Sequence, residues 1–91
     1  MSQSNFPGSY SPYTSKIEDA AQKAFKEAFE GFVGVVYSPV AVSQQIVAGI
    51  NYKFFCNAET VTVLPYNYAA IVSIYQPLEG KARITGIKEI N

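Results

Sequence analysis

The sequence predicts an α+β domain in which one N-terminal helix packs across a four-stranded antiparallel β-sheet. A single stripe of apolar residues with helical spacing lies between residues 15 and 32, and no second stripe follows it. From Val33 onward, β-branched and aromatic residues dominate. Turn-forming residues divide this second part of the chain into four segments, which short connections can join as a meander.

The composition fits one small domain. The 91 residues are 48% hydrophobic, with seven Tyr and six Phe, so they can form a core without disulfide bonds. Seven basic and seven acidic residues cancel and form no basic cluster, which argues against nucleic acid and against a membrane surface as partners. No apolar run is long enough to span a bilayer.

The predicted location is the cytoplasm. The first five residues contain neither a basic region nor an apolar one, so they do not resemble a signal peptide. A single cysteine, Cys56, cannot form an internal disulfide bond, which fits a reducing compartment. A secreted form that has lost its leader is the alternative.

The chain is predicted to consist of a flexible N-terminal segment and a folded domain. Residues 1–14 are rich in Ser, Pro and Gly and are predicted to be a flexible segment, either a frayed terminus or a functional arm. The domain covers residues 15–91 and begins with a helix over 15–31. Ser15 and Glu18 have the spacing of a capping box at the start of this helix. Its apolar stripe consists of Ile17, Ala20, Ala21, Ala24, Phe25, Ala28, Phe29 and Phe32.

Four strands are predicted, at residues 33–43, 50–58, 68–76 and 82–90. Pro39 predicts a bulge or an edge position in the first strand. Residues 59–67 receive no assignment. Alternation in the second strand predicts that Tyr52, Phe54, Cys56 and Ala58 face the core, and it places Ala70, Val72 and Ile74 on one face of the third strand.

The hairpin tip between the first two strands, Gln45–Gly49, has an unusual composition. It carries Ile46, Val47 and Ala48 in a row, where a turn exposed to water normally carries Asn, Asp, Ser or Gly. An apolar run at such a tip is either buried against its own protein or presented to another one. The rest of the chain favours presentation.

Residue types that carry catalysis are scarce. The chain contains no His, which removes the commonest general base, the Ser–His and Cys–His pairs and most zinc sites. Cys56 lies in an alternating strand and is predicted to be a small buried apolar residue. The carboxylates are scattered, and no phosphate-binding glycine loop or dinucleotide fingerprint is present. We therefore predict that the protein is not an enzyme and that it uses neither a metal nor a cofactor.

The segment Gln45-Ile46-Val47-Ala48-Gly49 resembles the Gln-x-Val-x-Gly signature of the cystatins, in the form found in the single-domain, disulfide-free stefins. This family has a helix before the strand that leads into the signature loop, and a second hairpin loop before its last strand. The predicted helix and residues 75–80 occupy those two positions, so the resemblance covers about residues 15–90.

The resemblance implies reversible, tight inhibition of papain-like cysteine proteases. In the family, an N-terminal segment bearing a glycine and the two hairpin loops form an apolar wedge that enters the active-site cleft. Secreted relatives often have Pro-Trp in the second loop, whereas this chain has no Trp. Carried over to this sequence, the protease-binding residues are Gly8, Gln45, Ile46, Val47, Ala48, Gly49, Pro77 and Leu78, with Glu79 and Gly80 beside them.

Another function on the same scaffold stays open. A non-inhibitory protein-binding module would use the convex face of the sheet and would leave residues 45–49 facing their own neighbours. The protein is predicted to be a monomer. A tight apolar turn between two long strands can straighten, which would let two chains exchange the helix and first strand as a domain-swapped dimer.

Overall fold

The computed structural model describes residues 8–90, so residues 1–7 and Asn91 lie outside the described part. Its elements are α1 (Asp19–Ala28), β1 (Val35–Val47), β2 (Gly49–Thr60), β3 (Asn67–Gln76) and β4 (Arg83–Ile90). The strands pair antiparallel in the order β1-β2-β3-β4. This confirms the predicted α+β fold, in which one helix packs on a four-stranded antiparallel sheet in a cystatin-like arrangement.

The helix α1 begins four residues later than the predicted capping box. Its N-cap is Glu18, which has extended backbone angles, and no side chain caps the helix. The Ser15 capping box is therefore wrong. The reason is a long-range pairing, because Thr14 exchanges two backbone hydrogen bonds with Val42, of 3.0 and 2.9 Å. The chain at Ser15 has only just left this extended pairing, and the helix starts further on.

The core lies between α1 and one face of the sheet. Phe25 packs against Phe54 with ring centroids 4.9 Å apart and planes at 70°. Ala21 and Ala24 are buried beside it, whereas Ala20 and Phe32 of the predicted stripe are exposed. Phe32 lies beyond the end of α1, so helical periodicity no longer orients it. The four residues of the second strand that were predicted to face the core are buried, and so are the three predicted to share one face of the third strand.

The strand boundaries differ from the prediction at the first hairpin. The predicted first strand ends at residue 43, but β1 continues to Val47 and pairs with β2 up to Val47–Gly49. Ala48 alone lies between the two strands. The pairing register shifts between Pro39 and Ala41, which confirms the bulge, and β1 is the first strand of the sheet.

Residues 8–14, within the segment predicted to be flexible, run beside β1. Tyr10 forms an isolated antiparallel bridge with Gln45, and Thr14 forms another with Val42. The amide of Ser11 donates to the carbonyl of Gln44 at 2.9 Å. This segment therefore covers the outer edge of β1 along residues 42–45. The flexibility of residues 1–14 stays a prediction, and residues 1–7 lie outside the described part.

Residues 59–67, which received no assignment from the sequence, comprise the end of β2, a loop and the first residue of β3. Strand β2 runs on to Thr60, and residues 61–66 form a loop at the end of the sheet that lies opposite the first hairpin tip. We call these residues the far loop. Val63 and Leu64 in it are 96% and 85% exposed. Among the described residues, no helix is long and apolar enough to cross a membrane.

Candidate functional site

Three separate segments meet at one end of the sheet. Ile50 at the start of β2 pairs with Gln76 at the end of β3, so the first hairpin tip and the β3–β4 connection lie at the same end. The N-terminal segment reaches this end too, because the side-chain amide of Gln45 donates to the carbonyl of Gly8. We call these three segments together, Gly8, Gln45–Gly49 and Pro77–Gly80, the loop end.

The first hairpin turns within a single residue, which places strict demands on Gly49. This glycine has a φ of +105°, in the left-handed region that other residues rarely adopt. A Cβ atom there would overlap the carbonyl oxygen of Gln76 and lie 3.0 Å from the Tyr75 hydroxyl. The sequence therefore needs glycine here both for its backbone angle and for the close approach of β3.

Side-chain hydrogen bonds fix the shape of this tip. The amide of Asn51 donates to the side-chain oxygen of Gln45 at 2.8 Å, while the Gln45 nitrogen donates to Gly8. One glutamine side chain thus joins β2 to the N-terminal segment. The hydroxyl of Tyr75 donates to the carbonyl of Ala48 and ties the tip to β3. The sequence analysis missed Asn51 and Tyr75, because only the strand register shows that they lie beside the tip.

The second loop is held by its own glutamine and by the helix. The Gln76 side chain donates to the carbonyls of Pro77 and Gly80, at 3.0 and 3.1 Å. After the loop, Lys81 forms an ion pair with Glu30, with 2.9 Å between Nζ and Oε1. This hydrogen-bonded carboxylate raises the pKa of Lys81. Glu30 lies in the turn after α1, and Glu27 within α1 accepts a hydrogen bond from the amide of Ala82 at 3.3 Å. The helix and the turn after it therefore brace the chain as it leaves the second loop.

The tips of both loops present apolar side chains to solvent. Ile46 is 59% exposed, Val47 41% and Leu78 79%. No charged residue occurs between Glu30 and Lys53, so the first hairpin carries no charge of its own. The one charged residue in the second-loop part of the loop end is Glu79. A surface of this kind can lose water favourably against an apolar cleft.

The groups that could carry chemistry do not gather here. Cys56 is completely buried in β2, and burial raises the pKa of its thiol to about 12. Its thiol therefore stays protonated at neutral pH, which makes it a poor nucleophile. Within residues 8–90, no three or more His, Cys, Asp or Glu side chains come close enough together to hold a metal ion.

No protein-family model matches this chain, and neither a curated protein nor a solved structure matches it significantly. The resemblance to cystatins therefore stays a prediction from residues of this chain. Those residues are the Gln45–Gly49 signature, the helix that precedes it and the second loop at Pro77 and Leu78.

Proposed function

We propose that the protein is a reversible, tight-binding inhibitor of papain-like cysteine proteases, and that the loop end enters the active-site cleft. The observation that supports this proposal is the meeting of three segments far apart in the sequence. Gly8, Gln45–Gly49 and Pro77–Leu78 lie at one end of the sheet with apolar side chains exposed.

The rigidity of the first hairpin explains how such a surface could inhibit without being cleaved. Its residues up to Val47 are paired in the sheet, and Tyr75 and Asn51 hold the tip from the side. A protease needs an extended segment whose scissile carbonyl fits beside its nucleophile, and a closed turn does not offer one. A preformed tip also loses little conformational entropy on binding, which favours high affinity from a small contact area.

The driving force would come from removing apolar side chains from water. Ile46, Val47 and Leu78 are the exposed large apolar residues of the loop end. Burying side chains of this size contributes about 1.5–3 kcal/mol each when burial is complete. None of these residues carries a charge that would need a partner in the cleft, so the desolvation cost stays low.

The proposal is tested by titrating papain with the purified protein. We expect stoichiometric inhibition, with the inhibitor recovered at its original mass after long incubation. Val47→Asp should weaken inhibition by about two orders of magnitude or more, because it would bury a carboxylate in an apolar cleft. Unimpaired papain at micromolar concentrations of folded protein would contradict the proposal.

Val63→Asp is the matched control, since it introduces the same charge at an exposed valine in the far loop. It should inhibit papain as well as the unsubstituted protein does. The alternative function, a non-inhibitory binding module, requires residues 45–49 to face their own neighbours. The exposure of Ile46 and Val47 favours the inhibitor over this alternative.

A further inference from the structure

The sheet face opposite α1 carries a second concave surface, separate from the loop end. It is a groove of about 510 Å³, within the range of roughly 300–1,000 Å³ typical of small-ligand sites. We call it the outer groove. Its lining residues are Tyr10, Ser11, Tyr13, Ser43, Lys53, Ile71, Ser73, Gly86, Ile87 and Lys88.

The N-terminal segment builds one wall of the outer groove. The hydroxyl of Ser43, a residue only 2% exposed, donates to the carbonyl of Ser11 and fixes this segment against β1. The amide of Gln44 donates to the Ser11 hydroxyl at 3.0 Å. The Tyr10 ring lies against Lys53, with its centroid 4.4 Å from Nζ. Hydrogen bonds thus hold this wall against β1, and its Tyr10 ring contacts the ammonium group of Lys53.

The floor of the outer groove is open where β4 carries a glycine. Ser43, Lys53, Ser73 and Gly86 pair in one row across the four strands. A Cβ atom built on Gly86 would meet nothing within 4 Å. Ile71 in the neighbouring row supplies an apolar surface on the floor. The absence of a side chain at Gly86 therefore leaves space beside the apolar floor.

The charges on the outer groove are all of one sign. Among residues 8–90, Lys53 and Lys88 line it, and no carboxylate does. Glu59 lies six positions along β2 from Lys53, about 20 Å away at the rise of a strand. Glu89 pairs with the buried residue Ala70, so its side chain lies on the core side of the sheet, away from the outer groove. Neither lysine is paired with a carboxylate among the described residues.

We propose that the outer groove binds a small amphiphilic anion, a carboxylate or sulfonate joined to an apolar body. The anionic group lies between Lys53 and Lys88, and the apolar body lies on Ile71 and against the tyrosine rings of the N-terminal segment. The positive charge of the groove favours a ligand with an anionic group. The volume and apolar floor of the groove favour a ligand with a small apolar body. No residue of the loop end takes part, so this site does not depend on protease inhibition.

Anilinonaphthalene sulfonate is a suitable probe, because it joins a sulfonate to aromatic rings and fluoresces when its rings leave water. We expect Lys53→Gln and Lys88→Gln each to weaken its binding about five-fold, the effect of losing one partly exposed charge contact. Lys23→Gln removes the same charge from the exposed face of α1 and should leave binding unchanged. Phenylnaphthylamine, which has the rings without the sulfonate, should bind more weakly than the anion.

A second variant tests the site without changing charge. Gly86→Val would fill the open floor and should abolish binding of the sulfonate probe. Amide NMR spectra should show that this variant stays folded. In the unsubstituted protein, the probe should shift the amides of residues 10, 11, 13, 71–73 and 86–88. Equal affinity of both lysine variants and the Lys23→Gln control would overturn the proposal. So would shifts confined to the far loop, where the probe would be reporting exposed Val63 and Leu64.

Discussion

The hydroxyl of Tyr75 donates a hydrogen bond to the backbone carbonyl of Ala48, the single residue between β1 and β2. Tyr75 belongs to β3, so the tip of the first hairpin is held by a strand outside that hairpin. The second loop begins two residues after Tyr75, at Pro77. This side chain therefore links the tip of the first hairpin to the strand that leads into the second loop.

Replacing this tyrosine should affect inhibition more than stability. Tyr75→Phe removes one hydrogen bond near the surface and should lower the free energy of unfolding by about 1 kcal/mol. The freed tip would lose conformational entropy on binding, so we expect the inhibition constant for papain to rise several-fold. Tyr66→Phe in the far loop is the control. An unchanged inhibition constant for Tyr75→Phe would show that the bond does not organise the tip.

Gly49 is the position where a single methyl group should be most damaging. Gly49→Ala combines a backbone angle of +105° with an overlap with the carbonyl of Gln76. The strained angle alone costs about 1–3 kcal/mol, and the overlap adds to it because backbone on both sides must move. We expect a loss of about 2–4 kcal/mol in urea unfolding.

Variants of two other glycines separate the cost of the backbone angle from the cost of the overlap. Gly34 has a φ of +101° but open space around it, so Gly34→Ala measures the angle alone. Gly86 has open space and no positive φ, so Gly86→Ala should be nearly neutral. If Gly49→Ala is no more destabilising than Gly34→Ala, then the close approach of β3 is not a constraint on the hairpin.

Leu78 provides a test of the second loop. Its side chain is 79% exposed, so Leu78→Ala should leave stability unchanged. If the loop enters a protease cleft, losing this buried area should weaken inhibition of papain about ten-fold. Leu64→Ala in the far loop removes the same atoms from a side chain that is 85% exposed. Equal inhibition by the two variants would place Leu78 outside the interface.

The parts of this fold that follow a local period could be predicted from the sequence. Alternation identified Tyr52, Phe54 and Cys56 as core residues, because strand side chains point to opposite faces with a period of two. Helical spacing identified the buried Ala24 and Phe25 in the same way. These patterns depend only on neighbours along the chain.

What the sequence could not predict depends on contacts between distant residues. The late start of α1 follows from the pairing of Thr14 with Val42, which no local pattern records. The role of Tyr75 at the first tip needs the register of β2 on β3. The outer groove is a further case, because Lys53, Ile71 and Lys88 come from three strands.

The buried thiol of Cys56 should make stability fall in alkaline solution. Burial raises its pKa to about 12 in the folded protein, whereas an unfolded thiol has a pKa of about 8.5. The unfolded chain therefore releases this proton first. The contribution to stability is complete below pH about 8.5 and is lost as the pH rises towards 12.

Urea unfolding of the unsubstituted protein and of Cys56→Ala between pH 8 and 10 checks this expectation. The stability advantage of the cysteine should shrink by about 1–2 kcal/mol across this interval, at up to about 1.4 kcal/mol per pH unit. Burial and the hydrogen bond with Tyr68 raise the pKa of Tyr37 to about 12, so Tyr37 acts in the same direction as Cys56. An unfolded tyrosine has a pKa of about 10, which keeps the Tyr37 contribution small below pH 10. Parallel stability curves for the two proteins would mean that Cys56 ionises as easily in the fold as outside it.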